Sequence, residues 1–128
     1  MIPTDRRYSR DHTWIQARNE KAVLGISDYV QEAFGEIVYV DIREVGTPIR
    51  AGEPFGEVES TKAIFELSSP VSGVILEVNS GVLQTPKPIN TDPYGEGWLA
   101  IVRLSNSSEL SSLMSAEEYE EFVEGSKP

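Results

Sequence analysis

The sequence predicts an all-β fold, a sandwich or barrel-like protein with short flanking helices, and three observations support this. The β-branched residues Val and Ile number 22 against 8 Leu, and such residues favour strands. Short apolar or alternating runs are separated by Gly, Pro, Asn or Asp along most of the chain. Only two segments carry the start and stop signals of helices. The 128 residues are enough to bury one core without a metal or a disulfide.

Seven runs have the length and apolar pattern of strands, and seven short strands are typical of a sandwich or barrel. In chain order they are residues 14–17, 21–26, 36–42, 55–60, 64–67, 74–78 and 98–104. The link between the fourth and fifth runs is the four residues 60–63. A link of that length predicts a tight hairpin.

The first helix is predicted to follow the second strand. Ser27 is a suitable N-cap, and Asp28 lies in the first turn, where an acidic side chain favours the helix dipole. Gly35 follows Phe34 and is suited to the left-handed conformation that ends many helices. We therefore expect Ser27 to cap a short helix that ends at Phe34.

The second helix is predicted near the C-terminus. Ser115 and Glu118 have the spacing of a capping box, and the helix is expected to run to Gly125. Five Glu lie between residues 117 and 124, and no Lys or Arg occurs between residues 104 and 126. We interpret these acids as a solvated helix face rather than a docking surface.

The composition excludes several functional classes. Because the chain has no Cys and one His, we expect no disulfide, no cysteine nucleophile, no metal site and no catalytic residue. The 11 Lys and Arg against 21 Asp and Glu give a net charge of −10. That charge disfavours binding to nucleic acid and to anionic membranes. We expect protein partners with basic surfaces.

No stretch approaches the roughly 20 apolar residues of a membrane-spanning helix. The N-terminal segment MIPTDRRYSRDH lacks the apolar region of a secretion signal and carries acids that organellar presequences avoid. We therefore expect a cytoplasmic chain, or one in the mitochondrial matrix if it is a processed eukaryotic protein.

One basic residue stands alone in the middle of the chain. Lys62 is the only Lys or Arg between residues 51 and 86. The acids of that segment are Glu53, Glu57, Glu59, Glu66 and Glu77. The expected hairpin places Lys62 at an exposed tip, where another protein can reach it. From spacing alone, the alternative is an ordinary surface lysine paired with one of these acids.

The segment ESTKA, followed by SPVSGVILEVN, resembles the attachment hairpin of lipoyl and biotinyl carrier domains. Such domains carry a Glu three residues before the modified lysine, and glycines well before and after it. Glu59, Gly46 and Gly73 occupy these positions, so the resemblance implies that they take part in the recognition of Lys62 for lipoylation.

The residues that flank the lysine favour lipoyl over biotinyl carriers, because biotinyl domains have methionines where this chain has Thr61 and Ala63. The resemblance extends over nearly the whole chain, which is similar to the H proteins of the glycine cleavage system. The matching segments are DHTW, GISDYVQEAFGEIVYVDI, EVGTPIRAGEPFGEVESTKA, SPVSGVILEVN, INTDPYGEGWL and SAEEYEEF.

The resemblance implies a carrier and not an enzyme, with lipoic acid joined to Lys62 by an amide bond. It implies a lipoyl/biotinyl-type β-sandwich, or barrel-sandwich hybrid. Residues 1–128 would form one lipoyl-carrier domain, with a core at about 8–105 and a C-terminal helical segment at about 108–125. The arm would carry the aminomethyl group of glycine from glycine decarboxylase to the aminomethyltransferase and then, in reduced form, meet dihydrolipoamide dehydrogenase. A lipoate-attaching enzyme is a further implied partner.

The resemblance also implies a cleft that shelters the arm, lined by Asp11, Thr13, Ile26 and Glu66. The family has His-Glu-Trp where this chain has His-Thr-Trp, so a neutral hydroxyl replaces a carboxylate at Thr13. Since hydrogen bonds to charged groups are stronger, we expect weaker sheltering unless Asp11 compensates. Two alternatives stay open: an H-like paralogue that donates lipoate or serves another redox pathway, and an interaction module that is not lipoylated.

Overall fold

The computed structural model describes residues 2–126 and contains nine strands, four α-helices and one 3₁₀ helix over these residues. The strands are β1 Arg7–Tyr8, β2 Thr13–Arg18, β3 Lys21–Ile26, β4 Ile37–Ile42, β5 Pro48–Ile49, β6 Pro54–Ser60, β7 Ile64–Ser68, β8 Gly73–Val78 and β9 Ala100–Leu104. The helices are α1 Asp28–Phe34, α2 Ser80–Gln84, α3 Lys87–Thr91 and α4 Ala116–Ser126, with the 3₁₀ helix at Ser107–Ser112.

Two antiparallel sheets enclose a shared apolar core. The larger sheet has the strand order β1-β2-β3-β9-β8-β5, and the smaller has the order β4-β6-β7. Burial alternates along β6, where Val58 and Ser60 are buried while Glu57 and Glu59 are exposed. Both sheets contribute side chains to one buried cluster. The predicted all-β sandwich with short helices is confirmed.

Each of the seven predicted strands is present, with its ends within two residues of the expected ones. No sequence signal marks β1 and β5, which have two residues each, or α2 and α3, which have five each. Elements this short carry no period that a pattern can reveal. Among the described residues, no helix is long and apolar enough to cross a membrane.

The two predicted helices are present, but the capping prediction was wrong for the first. Ser27 occupies the N-cap position of α1 without a side-chain capping bond. Its hydroxyl oxygen instead lies 2.6 Å from Tyr119 Oη, on the C-terminal helix. Gly35 ends α1 at the expected position, and its N–H donates to the Gln31 carbonyl, but its φ of 88° and ψ of −176° differ from the predicted left-handed conformation. A tertiary contact therefore replaces the local cap.

Helix α4 packs over a second apolar cluster, beside the first strands of the larger sheet. The buried members of this cluster are Tyr8, Trp14, Ala116 and Tyr119. The predicted capping box is confirmed, because the N–H of Ser115 donates to Glu118 Oε1 at 2.9 Å and the N–H of Glu118 donates to Ser115 Oγ at 3.2 Å.

Candidate functional site

The hairpin between β6 and β7 presents Lys62 to solvent. Glu59 and Ile64 form the last cross-strand pair, so residues 60–63 make the turn. The side chain of Lys62 is exposed at its tip. Among the described residues, the one ion pair within 4.0 Å joins Arg6 to Asp5. The Lys62 ammonium group is therefore not paired with Glu59 or Glu66.

Ser60 fixes the inner side of this turn. Its N–H donates to the Ala63 carbonyl at 2.8 Å. Its hydroxyl oxygen accepts hydrogen bonds from the backbone N–H groups of Lys62, at 3.2 Å, and Ala63, at 3.1 Å. The serine is buried because it is the last of the inward-facing residues of β6. A short polar side chain that bonds nearby backbone groups in this way stabilises a tight turn.

The outer side of the turn meets the end of helix α1. The N–H of Thr61 donates to the Glu36 carbonyl at 3.0 Å, which extends the pairing of β4 with β6 by one residue. Next to this bond, the rings of Phe34 and Phe65 pack with their centroids 5.3 Å apart. The sequence pattern does not connect α1 with the lysine, because the two segments are distant in the chain.

Three carboxylates form a row across the outer face of the smaller sheet. Asp41 pairs with Glu57 across β4 and β6, and Glu57 pairs with Glu66 across β6 and β7. All three side chains are exposed. We call this set the acidic row. Like charges in directly opposite positions destabilise a sheet, so the fold does not benefit from this arrangement.

Two of the expected cleft residues lie together below the surface. Thr13 and Ile26 are cross-strand partners in β2 and β3, and both are buried. The Thr13 hydroxyl donates to the Ser68 carbonyl at 3.1 Å, which joins the start of β2 to the end of β7. Asp11, two residues before Thr13, and Glu66, two residues before Ser68, are exposed. Thr13 therefore has no hydroxyl hydrogen available to a further group.

Comparisons with known proteins agree with this geometry. The family model described as glycine cleavage H-protein matches residues 6–126. The glycine cleavage system H protein of Carboxydothermus hydrogenoformans is 44% identical, over 97% of this chain and 95% of that protein. That of Bacillus subtilis is 44% identical, over 96% and 97% respectively. The crystal structure of an H protein from Mycobacterium marinum has a TM-score of 0.85 at 42% identity and covers 92% of this chain and 95% of that one.

The chain belongs to the glycine cleavage H-protein family. Membership is shown by matches that cover nearly the whole length of both partners. As an H protein, the chain is a lipoyl carrier of the glycine cleavage system rather than a catalyst. The lack of Cys and the single His noted in the composition are consistent with that role.

The structure separates the three expected recognition residues of this H protein. Glu59 lies in β6, next to the lysine turn. Gly46 and Gly73 lie instead near the pairing of β5 with β8 in the other sheet, where the Gly46 N–H donates to the Ile75 carbonyl at 2.7 Å. Both glycines have local explanations: Gly46 has a φ of 92°, and a Cβ at Gly73 would overlap the backbone carbonyl of Arg103. Of the three, only Glu59 adjoins Lys62.

A polar contact beneath α4 was not found from the sequence. The Tyr119 hydroxyl lies 2.7 Å from His12 Nδ1 and 2.6 Å from Ser27 Oγ. Burial lowers the pKa of His12, and the nearby Asp11 opposes this shift. Burial raises the pKa of Tyr119, so the phenol stays protonated. Since the Tyr119 hydroxyl bonds to both His12 and Ser27, these contacts hold α4 in place, and His12 has a structural role.

Within residues 2–126, no three His, Cys, Asp or Glu side chains gather into a group that could hold a metal ion. At the hairpin, this H protein presents the exposed amine of Lys62 on a turn with a hydrogen-bonded backbone.

Proposed function

We propose that Lys62 is the lipoyl attachment site through which this H protein acts in glycine cleavage. The observation that carries the proposal is the exposed, unpaired ammonium group of Lys62 at the tip of a turn held by Ser60. The amide bond joins Lys62 Nζ to the carboxyl carbon of lipoic acid and releases water overall. When bound, the group supplies the sulfur chemistry that a chain without Cys lacks.

The residues around the lysine support a carrier that visits several active sites. The β6–β7 hairpin gives a fixed base, and a long arm on such a base raises the local concentration of its tip at a docked partner. The proposed partners are the decarboxylase, aminomethyltransferase and dihydrolipoamide dehydrogenase components, together with a lipoate-attaching enzyme. The cytoplasmic location stays a prediction.

The attachment site is tested by intact mass and by peptide mapping after incubation with a lipoate-attaching enzyme, lipoate and ATP, which activates the carboxyl group. We expect one lipoyl group on Lys62 in the wild-type chain and none in the Lys62→Arg variant. Lys87 is also exposed, so Lys87→Arg is the matched control and should be lipoylated fully. Lipoylation of Lys62→Arg, or of a second lysine in the wild type, would overturn the assignment.

The carrier role is tested with the same variants in glycine–bicarbonate exchange, reconstituted with the decarboxylase component. Exchange should be abolished by Lys62→Arg and unchanged by Lys87→Arg. A lipoylated wild-type chain that supports no exchange would instead favour the H-like paralogue that donates lipoate, to which the neutral Thr13 points.

We further propose that the arm rests along the junction formed by Asp11, Thr13, Ile26 and Glu66. Support comes from the exposed carboxylates of Asp11 and Glu66, which the arm can reach, while the buried Thr13 and Ile26 would lie beneath it. Glu66→Gln should increase the rate at which the loaded carrier loses its one-carbon group to water by about tenfold, because a charge-assisted contact is lost. Glu57→Gln, on the opposite strand, is the matched control. Equal rates in the two variants would contradict this role of Glu66.

A further inference from the structure

The end of helix α1 fixes the turn that carries Lys62, and this contact is independent of the pairing of β6 with β7. Gly35 has a φ of 88°, and a Cβ built on it would overlap Thr61 Oγ1. The same Cβ would lie 3.6 Å from Thr61 Cβ and 3.8 Å from Lys62 Cγ. Because Gly35 has no side chain, α1 can approach the lysine turn this closely. We call residues 34–36 the α1 C-terminal turn.

Every backbone N–H of the three residues that follow Ser60 has an acceptor. Thr61 donates to the Glu36 carbonyl at 3.0 Å, while Lys62 and Ala63 donate to Ser60 Oγ. A turn whose N–H groups are all bonded loses most of the alternative conformations open to a four-residue loop. The turn is thus held from the inside by Ser60 and from the outside by the α1 C-terminal turn.

The α1 C-terminal turn is itself held in place. The N–H of Ile37 donates to Asn90 Oδ1 at 2.8 Å, and Asn90 Nδ2 donates to the Ile37 carbonyl at 3.0 Å. The two bonds join Asn90, in α3, to Ile37, the first residue of β4. Since Ile37 directly follows Glu36, the carbonyl that accepts from Thr61 belongs to a fixed segment.

We propose that Thr61 and the α1 C-terminal turn position Lys62 for lipoylation. This inference rests on the proposed attachment at Lys62. An attaching enzyme must bring Lys62 Nζ to a reacting carboxyl group, and a small displacement of a reacting group lowers a rate strongly. A turn that samples several conformations presents the productive one for a fraction of the time, which multiplies kcat/KM by that fraction. Thr61 is thus a positioning residue through its backbone N–H, which ties the turn before Lys62 to the Glu36 carbonyl.

The test uses Gly35→Ala, with Gly52→Ala as the matched control. Gly52 has a φ of 87°, close to that of Gly35, and a Cβ there would meet nothing within 4 Å, so the two variants share a positive φ but not the contact. We expect kcat/KM for lipoylation to fall about tenfold in Gly35→Ala and to stay within about twofold of wild type in Gly52→Ala. Similar losses in both variants would refute the proposal.

A double variant separates the contact from the strain. Gly35→Ala combined with Thr61→Ala removes the Oγ1 atom that the new Cβ would overlap, while the backbone strain of the positive φ at residue 35 persists. We expect kcat/KM to recover to within about threefold of the Thr61→Ala single variant, which keeps the backbone bond to Glu36. Failure of Thr61→Ala to restore the rate would contradict the assigned contact.

Amide hydrogen exchange provides a readout that does not depend on lipoylation. Exchange at Thr61, whose N–H donates to the Glu36 carbonyl, should be faster in Gly35→Ala than in the wild type and unchanged in Gly52→Ala. If the wild-type chain were not lipoylated at Lys62, the proposed function would fail, while hydrogen exchange would still show whether α1 holds the turn. Unchanged exchange in Gly35→Ala would refute that holding role.

A milder variant applies if Gly35→Ala does not fold. Phe34→Ala removes the ring that packs on Phe65, and Leu83→Ala is its control because both side chains are 36% exposed and lie in helices. We expect Phe34→Ala to lower kcat/KM for lipoylation about threefold, the factor that an aromatic ring contact of this kind is worth. No difference between the two variants would count against α1 as the positioning element.

Discussion

Gly73 shows how a residue near a modification motif can act through the fold alone. It pairs with Ile49 on one side and with Leu104 on the other, in the middle of three adjacent strands. A Cβ at this position would overlap the carbonyl group of Arg103, which is backbone and has little room to move. The glycine is therefore required by the close approach of β8 and β9.

We therefore expect Gly73→Ala to lower the free energy of unfolding by about 1–3 kcal/mol, the usual effect of forcing an extra carbon into packed structure. Denaturant unfolding measures the loss. Gly125→Ala, where a Cβ would meet nothing within 4 Å, should show no such loss. The lipoylation rate per folded molecule should stay at the wild-type value in both variants. Normal stability with slow lipoylation would instead favour direct recognition of Gly73.

His12 makes the stability of the protein depend on pH. Burial lowers its pKa from the ordinary value of 6.5, so the folded chain binds the proton less readily than the unfolded chain. Stability is therefore fully present above about pH 6.5 and falls as the pH decreases towards the lowered folded-state pKa. The midpoint of urea unfolding, measured between pH 8 and pH 5, should show this fall in the wild type.

The matched variant is His12→Asn, because asparagine tolerates the positive φ of 67° at this position and does not titrate. Its unfolding midpoint should be lower at pH 8, since the Tyr119 hydroxyl loses its bond to the His12 ring. It should also change less between pH 7 and pH 6 than that of the wild type. Parallel curves over that interval would contradict the assignment of the transition to His12.

At the scale of elements, the outer face of the smaller sheet carries the acidic row, in which Glu57 lies between two other acids. Replacing it by Gln removes both repulsions, so Glu57→Gln should raise the free energy of unfolding by about 0.2–1 kcal/mol. Urea unfolding at low salt measures this, and the gain should shrink in 1 M salt because screening is stronger. Glu44→Gln, outside the row, should have no comparable effect. A destabilised Glu57→Gln would show that the row is not repulsive.

The strands and terminal helix were predictable because each carries its signal locally. The alternation in β6 and the capping box at Ser115 are read from neighbouring residues, and both are present. Strand β1 was not predictable, since Tyr8 pairs with Met114 from the opposite end of the chain. The turn at Lys62 was expected from its four-residue length. Its contact with Gly35 was not, because a pattern cannot show which distant glycine a turn will meet.

A weak internal repeat in the sequence also shows that a local pattern does not determine the structure that follows it. Gly35, Ile37 and Val40 recur as Gly73, Ile75 and Val78, and the two segments form β4 in the smaller sheet and β8 in the larger. The continuation differs, because Thr47 precedes strand β5 whereas Thr85 precedes helix α3. Similar local sequences thus form equivalent strands in opposite sheets, and different neighbours determine the element that comes next.

At the scale of the whole molecule, the acids that give the net charge of −10 lie on more than one surface. The acidic row lies on the sheet that presents Lys62, whereas the acids of α4 lie beside the larger sheet, over β1. A carrier that visits several partners needs fast, weak encounters, and complementary charge raises association rates more than affinity. We therefore expect the acidic row, rather than net charge as such, to steer the lysine end towards basic partner surfaces.

Steering of this kind is measured by stopped flow, as the association rate of the lipoylated chain with the decarboxylase component. For the wild type, the rate should fall about tenfold between 0.01 M and 0.15 M salt, as the screening length decreases from about 30 to about 8 Å. A variant with all three acids of the row changed to Asn or Gln should lose most of this dependence.

The control changes three exposed acids of α4, Glu117, Glu120 and Glu121, to Gln, which removes the same charge. Because the control keeps the acidic row, its association rate should depend on salt as the wild-type rate does. Equal losses in the two triple variants would attribute the effect to net charge, and a rate insensitive to salt in the wild type would exclude steering altogether.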